Sequence, residues 1–92
     1  MRSFEILGRS ILIANVGGRF YAMDGICSHG MGVLDRGVLN GHVVKCPIHG
    51  AEFDLRTGKV INGPWKPPYE IDDLRTYAVG VEDRCLTLDY QP

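Results

Sequence analysis

The sequence has no apolar run long enough to cross a bilayer as a helix. Its start, Met1-Arg2-Ser3-Phe4-Glu5, lacks the apolar core and small-residue cleavage site of a signal peptide. An excess of charge of one sign is missing as well. Ten basic and 11 acidic residues leave a formal net charge of −1, which offers nucleic acid or an anionic membrane surface no reason to bind. Three cysteines are an odd number and a poor basis for a disulfide framework. The expectation is a cytoplasmic protein of a reducing compartment. No stretch sustains a 3.6-residue apolar period, and there is no repeat, linker or low-complexity segment. Ninety-two residues allow one domain, residues 1–92, near the size at which a metal or a disulfide supports the core.

What remains is short β-prone runs between turn signals, so the fold class is all-β. Phe4 to Leu7 is a short first run, with a turn at Gly8-Arg9-Ser10. Ile11 to Val16 reads as a buried strand, and Gly17-Gly18 as a tight hairpin turn into a return strand, Arg19 to Asp24. Asn40-Gly41 marks a second hairpin between Val38-Leu39 and Val43-Val44-Lys45. Glu52 to Leu55 and Lys59 to Ile61 form a third pair around Arg56-Thr57-Gly58. Asn62 to Pro68 is irregular, because three prolines remove ladder donors. Ile71 to Arg75 holds at most a helical turn. The tail is a last hairpin: Tyr77, Val79 and Val81 alternate on one strand, Asp83-Arg84 turns, and Leu86, Leu88 and Tyr90 alternate on the return.

Two glycine-rich loops carry the chemistry. Cys27-Ser28-His29-Gly30 opens a stretch that Cys46-Pro47-Ile48-His49-Gly50 closes, with sixteen residues between His29 and Cys46. Each loop offers one thiol and one imidazole. A tetrahedral Cys2His2 zinc site would accept these four side chains. Zinc sites, however, usually pair Cys with Cys and His with His along the chain, with two to four residues between partners. Here the order alternates, and a single residue separates Cys27 from His29. A binuclear site accounts for the alternation better: the first ligand of each loop goes to one iron and the second to the other. That is the ligand set of a Rieske [2Fe–2S] centre.

The pattern Cys27-x-His29-x16-Cys46-x-x-His49 resembles the Rieske signature, and the flanks resemble small Rieske-type ferredoxins too. They include Gly18-Arg19-Phe20-Tyr21-Ala22-Met23-Asp24, Cys46-Pro47-Ile48-His49-Gly50-Ala51-Glu52-Phe53-Asp54, Thr57-Gly58-Lys59-Val60 and Gly63-Pro64. The resemblance implies stacked antiparallel sheets with a cluster-binding subdomain, about residues 25–65, inserted in a β base. It implies one [2Fe–2S] cluster, with Cys27 and Cys46 on the inner iron and His29 and His49 on the outer. It also implies a monomeric electron carrier between a flavoprotein reductase and a terminal oxygenase. Rieske oxygenases add a mononuclear iron held by two His and a carboxylate. With three histidines in the chain and two assigned to the cluster, His42 cannot build that site, so the chain is not expected to be an enzyme. A Rieske-type subunit of a larger oxidoreductase, nitrite-reductase-like or arsenite-oxidase-like, is a second reading. The zinc module is a third. Relatives usually carry a further strand before the segment matching Phe4 to Leu7.

The remaining candidates are weighed against the same pattern. Gly30, Gly32 and Gly50 suit loops whose amides approach the cluster sulfurs. Met31, Ile48, Pro64 and Trp65 could frame a docking face, His42 reads as a solvated hairpin residue, and Cys85 as a thiol outside the cluster. Rieske proteins of cytochrome bc complexes have a disulfide between the two loops, at positions matching Gly32 and Ile48, and hydroxyl donors at positions matching Ala51 and Phe53. Neither feature is present. Donors to the sulfurs favour the reduced, more negative cluster, so their absence lowers its potential. The expected midpoint lies at the low end of the Rieske range, about −150 mV rather than +300 mV. A redox titration checks this, and a clearly positive midpoint contradicts it.

Overall fold

The computed structural model describes residues 1–30 and 32–89, so the expectations for Met31 and Tyr90 lie outside the described residues. Among the described residues there are nine strands: β1 (Arg2–Ile6), β2 (Arg9–Val16), β3 (Arg19–Asp24), β4 (Val38–Asn40), β5 (Val43–Lys45), β6 (Glu52–Asp54), β7 (Val60–Asn62), β8 (Thr76–Glu82) and β9 (Cys85–Asp89). They form two antiparallel sheets. The base sheet has the order β1-β2-β3-β8-β9, and a smaller sheet of β4-β5-β6-β7 is inserted between β3 and β8.

The apolar run in β2 reads as a strand because both of its faces are covered. Leu12 and Ala14 join a core that includes Met23, Leu34, Val44 and Phe53, while Ile11 packs on the other side with Ala22 and Tyr77. The first of these cores joins the two sheets. Its members Leu12, Met23, Leu34, Val44 and Phe53 have no measurable exposure, and burying a side chain of this size stabilises by about 1.5–3 kcal/mol. Cys27 and Cys46 belong to the same core, at its outer end.

The expected hairpin at Gly17-Gly18 is present, with Gly17 at φ 62° and Gly18 at 87°. The second hairpin also forms, but its turn lies one residue later than expected, on Gly41-His42 with Gly41 at φ 60°, because Asn40 is still in β4 and pairs with Val43. The first turn is shifted. It falls on Leu7-Gly8, with Leu7 at φ 50°, so β2 begins at Arg9. Ile71 to Arg75 holds no helical turn, and a short 3-10 turn lies instead at Leu34–Arg36, where Leu34 anchors it in the core. In the last hairpin the alternation does not mark a buried face throughout: Tyr77 is buried and Val79 half-buried, but Val81 and Leu86 are exposed.

Asp24 secures the crossing from β3 to β8. Its amide donates to the Arg75 carbonyl at 2.9 Å, and its carboxylate accepts from the Arg75 amide at 3.1 Å and the Tyr77 hydroxyl at 2.7 Å. Burial, with the hydrogen bond to Asp24, pushes the Tyr77 phenol up to about 12. Gly58 fixes the next joint. Its amide donates to Asp54 at 2.6 Å, and its carbonyl accepts from Leu74 at 2.7 Å. Gly58 is at φ +77°, and a Cβ there would stand 1.9 Å from the Leu74 carbonyl oxygen. Gly41, at φ +60°, faces open space. Gly58→Ala is therefore expected to cost about 2–4 kcal/mol, from a left-handed backbone and a backbone clash together. Gly41→Ala should cost about 1 kcal/mol, from the backbone alone. Denaturant unfolding of the two variants measures the difference, and equal losses would contradict it.

Candidate metal centre

Both cysteine loops have one construction. In the first, which follows β3, the Cys27 amide donates to the Gly32 carbonyl at 2.9 Å, and Gly30 donates back to the Cys27 carbonyl at 3.1 Å. An isolated bridge between Ile26 and Val33 closes its base. In the second, which joins β5 to β6, the Cys46 amide donates to Ala51 at 2.8 Å, and Gly50 donates back to Cys46 at 3.2 Å. Each loop is a noose with a cysteine at its neck. Gly50 needs its positive φ of 74° and the bare face on which the Trp65 ring lies; a Cβ there would meet the ring at 2.0 Å.

The nooses face each other across a cavity of about 290 Å³ lined by Cys27, His29, Cys46 and His49, with Gly30, Gly32 and Ile48 completing the wall. The thiols lie inward, Cys27 at 3% exposure and Cys46 at 4%. The imidazoles are half-buried at the rim, and Ile48 beside them is 54% exposed. The two rings meet edge to face, with centroids 4.9 Å apart and an interplanar angle of 85°. Their Nδ1 atoms are 3.3 Å apart. Gly32 makes the approach of the loops possible, since a Cβ on it would lie 2.3 Å from the Cys46 sulfur and 3.4 Å from Ile48 Cγ1. The two positions at which a bridge is expected to be missing are thus neighbours, and all three cysteines are free thiols.

This donor set fits a two-iron cluster. Two imidazole nitrogens on one tetrahedral ion, at about 2.1 Å each, stand roughly 3.4 Å apart, close to the observed Nδ1 separation. No three of the His, Cys, Asp and Glu side chains among the described residues are gathered tightly enough for one ion. The donors form a thiol pair inside and an imidazole pair outside. The amides of His29 and Gly30 donate to the Cys27 sulfur, the usual support for a thiolate. Without a metal, burial outweighs those amides, and with the neighbouring Cys46 it pushes the Cys27 thiol up to about 11. A bound cation reverses that balance, because a coordinating thiol is deprotonated. Burial, reinforced by the charges of His29 and Lys66, lowers the pKa of His49, in the direction that favours the neutral ring a ligand needs.

The other candidates fall elsewhere. Cys85 opens β9 in an exposed position and does not line the cavity. His42 is half-buried rather than fully solvated, and its ring stands edge-on to Tyr21 with centroids 5.4 Å apart. Ala51 and Phe53 are buried and bring no hydroxyl. Pro64 is buried, whereas Trp65 is 65% exposed, held by its amide to the His49 carbonyl at 3.0 Å and capped by Lys45 Nζ at 5.7 Å from the ring centroid. The residues that sequence reasoning missed are Ser28 and the carbonyls of Lys66, Pro67 and Asp72. Ser28 Oγ donates to Asp72 at 2.5 Å, and His29 Nε2 lies 3.0 Å from the Lys66 oxygen and 3.3 Å from that of Pro67. Main-chain acceptors leave no mark in side-chain identity.

Comparison with known proteins agrees with this geometry. Residues 1–78 match the model of the Rieske [2Fe-2S] domain. The chain is 41% identical over 80 residues to the 3-phenylpropionate/cinnamic acid dioxygenase ferredoxin subunit of Shigella boydii, covering 86% of this chain and 71% of that one. It is 38% identical over 91 residues to the biphenyl 2,3-dioxygenase ferredoxin component of Rhodococcus jostii, covering 99% and 80%. Among solved structures, it superposes with a TM-score of 0.79 and 30% identity on a chain of the complex of reduced oxygenase and oxidized ferredoxin in carbazole 1,9a-dioxygenase, covering 96% of this chain and 86% of that one. Proteins so named are electron carriers rather than catalytic subunits. The nooses, the paired donors and these matches together place the chain in the Rieske [2Fe–2S] domain family, with one [2Fe–2S] cluster as its cofactor.

Proposed function

We propose that this protein is a low-potential, one-electron carrier that receives electrons from a flavoprotein reductase and delivers them to a terminal oxygenase. Cys27 and Cys46 hold the inner iron, and His29 and His49 the outer. Residues 1–92 act as a single Rieske domain, with residues 25–65 as its cluster-binding subdomain, and work as a cytoplasmic monomer. No helix among the described residues is long and apolar enough to cross a membrane. The observation that carries the reading is the division of the cavity: thiols at the end of the core, and imidazoles facing each other through Nδ1 at 3.3 Å on the rim.

The bound cluster supplies one-electron redox chemistry. The chain supplies position and environment. Core packing keeps water from the thiols, the amides of His29 and Gly30 support the Cys27 sulfur, and the imidazole rim leaves the outer end accessible. Ala51 and Phe53 are buried without a hydroxyl to donate, which supports the low potential. Trp65 and Ile48 stand exposed next to the rim, as suits the small, weak interface of a redox encounter. The ferredoxin relatives and the carbazole dioxygenase complex support an oxygenase as the acceptor.

Two measurements test this. The dithionite-reduced protein should give the low average g value of mixed Cys/His ligation, with two irons and two acid-labile sulfides per chain. Cys27→Ala, His29→Ala, Cys46→Ala or His49→Ala should each abolish that signal, while Cys85→Ser keeps the full iron content. A colourless protein with one zinc would overturn the assignment. For docking, Trp65→Ala should lower kcat/KM for transfer to the oxygenase about tenfold, the loss typical of a central interface Trp, and leave the cluster spectrum intact. Unchanged transfer would remove Trp65 from the docking face.

A further inference from the structure

The two nooses carry no charged side chain. Residues 25–34 and 46–51 contain no Asp, Glu, Lys or Arg. The charge that a partner meets at the rim is therefore set by what flanks the loops. Two lysines do so beside the second noose. Lys45 immediately precedes Cys46 and is exposed, with Nζ 5.7 Å from the centroid of the Trp65 ring. That ring lies over Gly50, next to His49. Lys66 follows Trp65 and is exposed as well. Its carbonyl lies 3.0 Å from His29 Nε2, so its main chain stands at the rim. Its charge reaches the ring of His49 and helps to lower the pKa there.

Neither lysine is neutralised. Among the described residues, no ion pair joins either of them to a carboxylate. Glu52 stands opposite Lys45 across β5 and β6, but its carboxylate accepts from Asn62 Nδ2 at 2.7 Å, and Lys45 turns to Trp65 instead. Glu70 and Asp72 come later in the segment that Lys66 opens, and Asp72 is tied to the first noose, where its carbonyl accepts from Ser28 Oγ at 2.5 Å. The Asp73 carboxylate accepts from the Val60 amide at 2.8 Å, on β7. Asp35 is followed at once by Arg36.

We infer that Lys45 and Lys66, gathered at Trp65, make the second-noose side of the rim a cationic docking patch, and that the redox partner meets it with an acidic surface, carboxylates around an apolar seat for the indole. The inference rests on the carrier reading proposed above. The local field opposes the charge of the chain as a whole. That charge is −1 at pH 7, and reduction of the cluster adds one further negative charge at the site. Two ammonium groups at the rim outweigh it locally. Such a patch draws an acidic surface to the outer end and orients it there, and salt weakens the attraction.

The test uses the reduced, cluster-loaded full chain and two small oxidants of opposite charge, the trianion tris(oxalato)cobaltate(III) and the trication hexaamminecobalt(III). Each takes one electron from the cluster, which returns to its oxidised form as Co(III) becomes Co(II). Stopped-flow rates are compared at ionic strengths of about 0.01 M and about 0.1 M, between which the Debye length falls from about 30 Å to about 10 Å. The trianion rate is expected to fall about threefold and the trication rate to rise, because the rim governs the encounter rather than the net charge. In Lys45→Gln/Lys66→Gln both signs should reverse. Lys66→Gln alone, which leaves the Lys45–Trp65 contact in place, should remove about half of the trianion's dependence. Lys59, whose carbonyl accepts from Asp54 at the end of β6 away from the noose, provides the control. Lys59→Gln changes the net charge as much as Lys66→Gln and should leave both dependences unchanged. A trianion rate that rises with ionic strength in the unaltered protein, or a Lys59→Gln effect equal to that of Lys66→Gln, overturns the inference and leaves the cluster and carrier readings standing. If the reduced protein passes electrons to neither oxidant, the carrier reading falls, and the inference with it.

Discussion

The outer end of this fold depends on how closely the two cysteine loops approach each other. The contact is between Gly32 and Cys46, where even a methyl group would lie 2.3 Å from the sulfur. Nothing covalent holds the loops together, since all three cysteines are free. Their spacing is set from behind. Leu34 anchors the end of the first loop in the core that Val44 and Phe53 reach from the second sheet, and Cys27 and Cys46 are themselves part of that core. The cavity is an extension of the hydrophobic packing rather than a pocket cut into the surface.

That placement has an electrostatic consequence. A thiol at the end of an apolar core resists ionisation, which is why Cys27 is pushed up to about 11 when no cation is present. The same burial, once a cluster is bound, excludes water and concentrates the stabilisation on a few main-chain donors. This chain offers its donors as amides of His29 and Gly30, and no hydroxyl at Ala51 or Phe53. The amides come with the noose and belong to any loop closed in this way. Hydroxyls are additions that a sequence carries or lacks. Their absence therefore bears on redox poise without bearing on whether the loop folds.

The features legible in the sequence are those that a single residue type dictates. Gly17, Gly18 and Gly41 mark their turns because positive φ is cheap there, and both hairpins form, the second with its turn on Gly41-His42. The alternating Cys-His order placed four side chains in one cavity because each noose presents its cysteine and histidine to opposite ends of the site. Where the reading fell short, the cause was tertiary. Leu7 accepts a left-handed backbone that its own preference resists, so the first turn moved toward it. The second-sheet core recruits Leu34 into a 3-10 turn that no periodicity signals. The alternation of Val81 and Leu86 suggests a buried face, yet both are exposed, because none of the described residues covers that end of the base sheet. Residues 65–72 form a strap across the two loops, through the Trp65 amide and the Lys66, Pro67 and Asp72 carbonyls, and no residue type in the sequence marks it, since it works through main-chain groups that other residues also have.

Residues 65–72 also show why a segment with two adjacent prolines, Pro67 and Pro68, can be a structural element. A strand there would need ladder donors that proline lacks. A strap needs acceptors in a stiff backbone, and proline supplies both the carbonyl and the restricted φ. Its two ends are pinned independently. At one end the Trp65 amide is tied to His49. Just beyond the other, the Leu74 amide donates to Gly58 at 2.7 Å in the turn between β6 and β7, and the Arg75 amide to Asp24 at 3.1 Å at the end of β3. A backbone with few conformations to lose costs less to order between two such anchors than a flexible one of the same length. The imidazole it holds is thereby referred to both sheets at once. A site built from two loops on a small chain acquires its rigidity from a third segment that contributes no ligand.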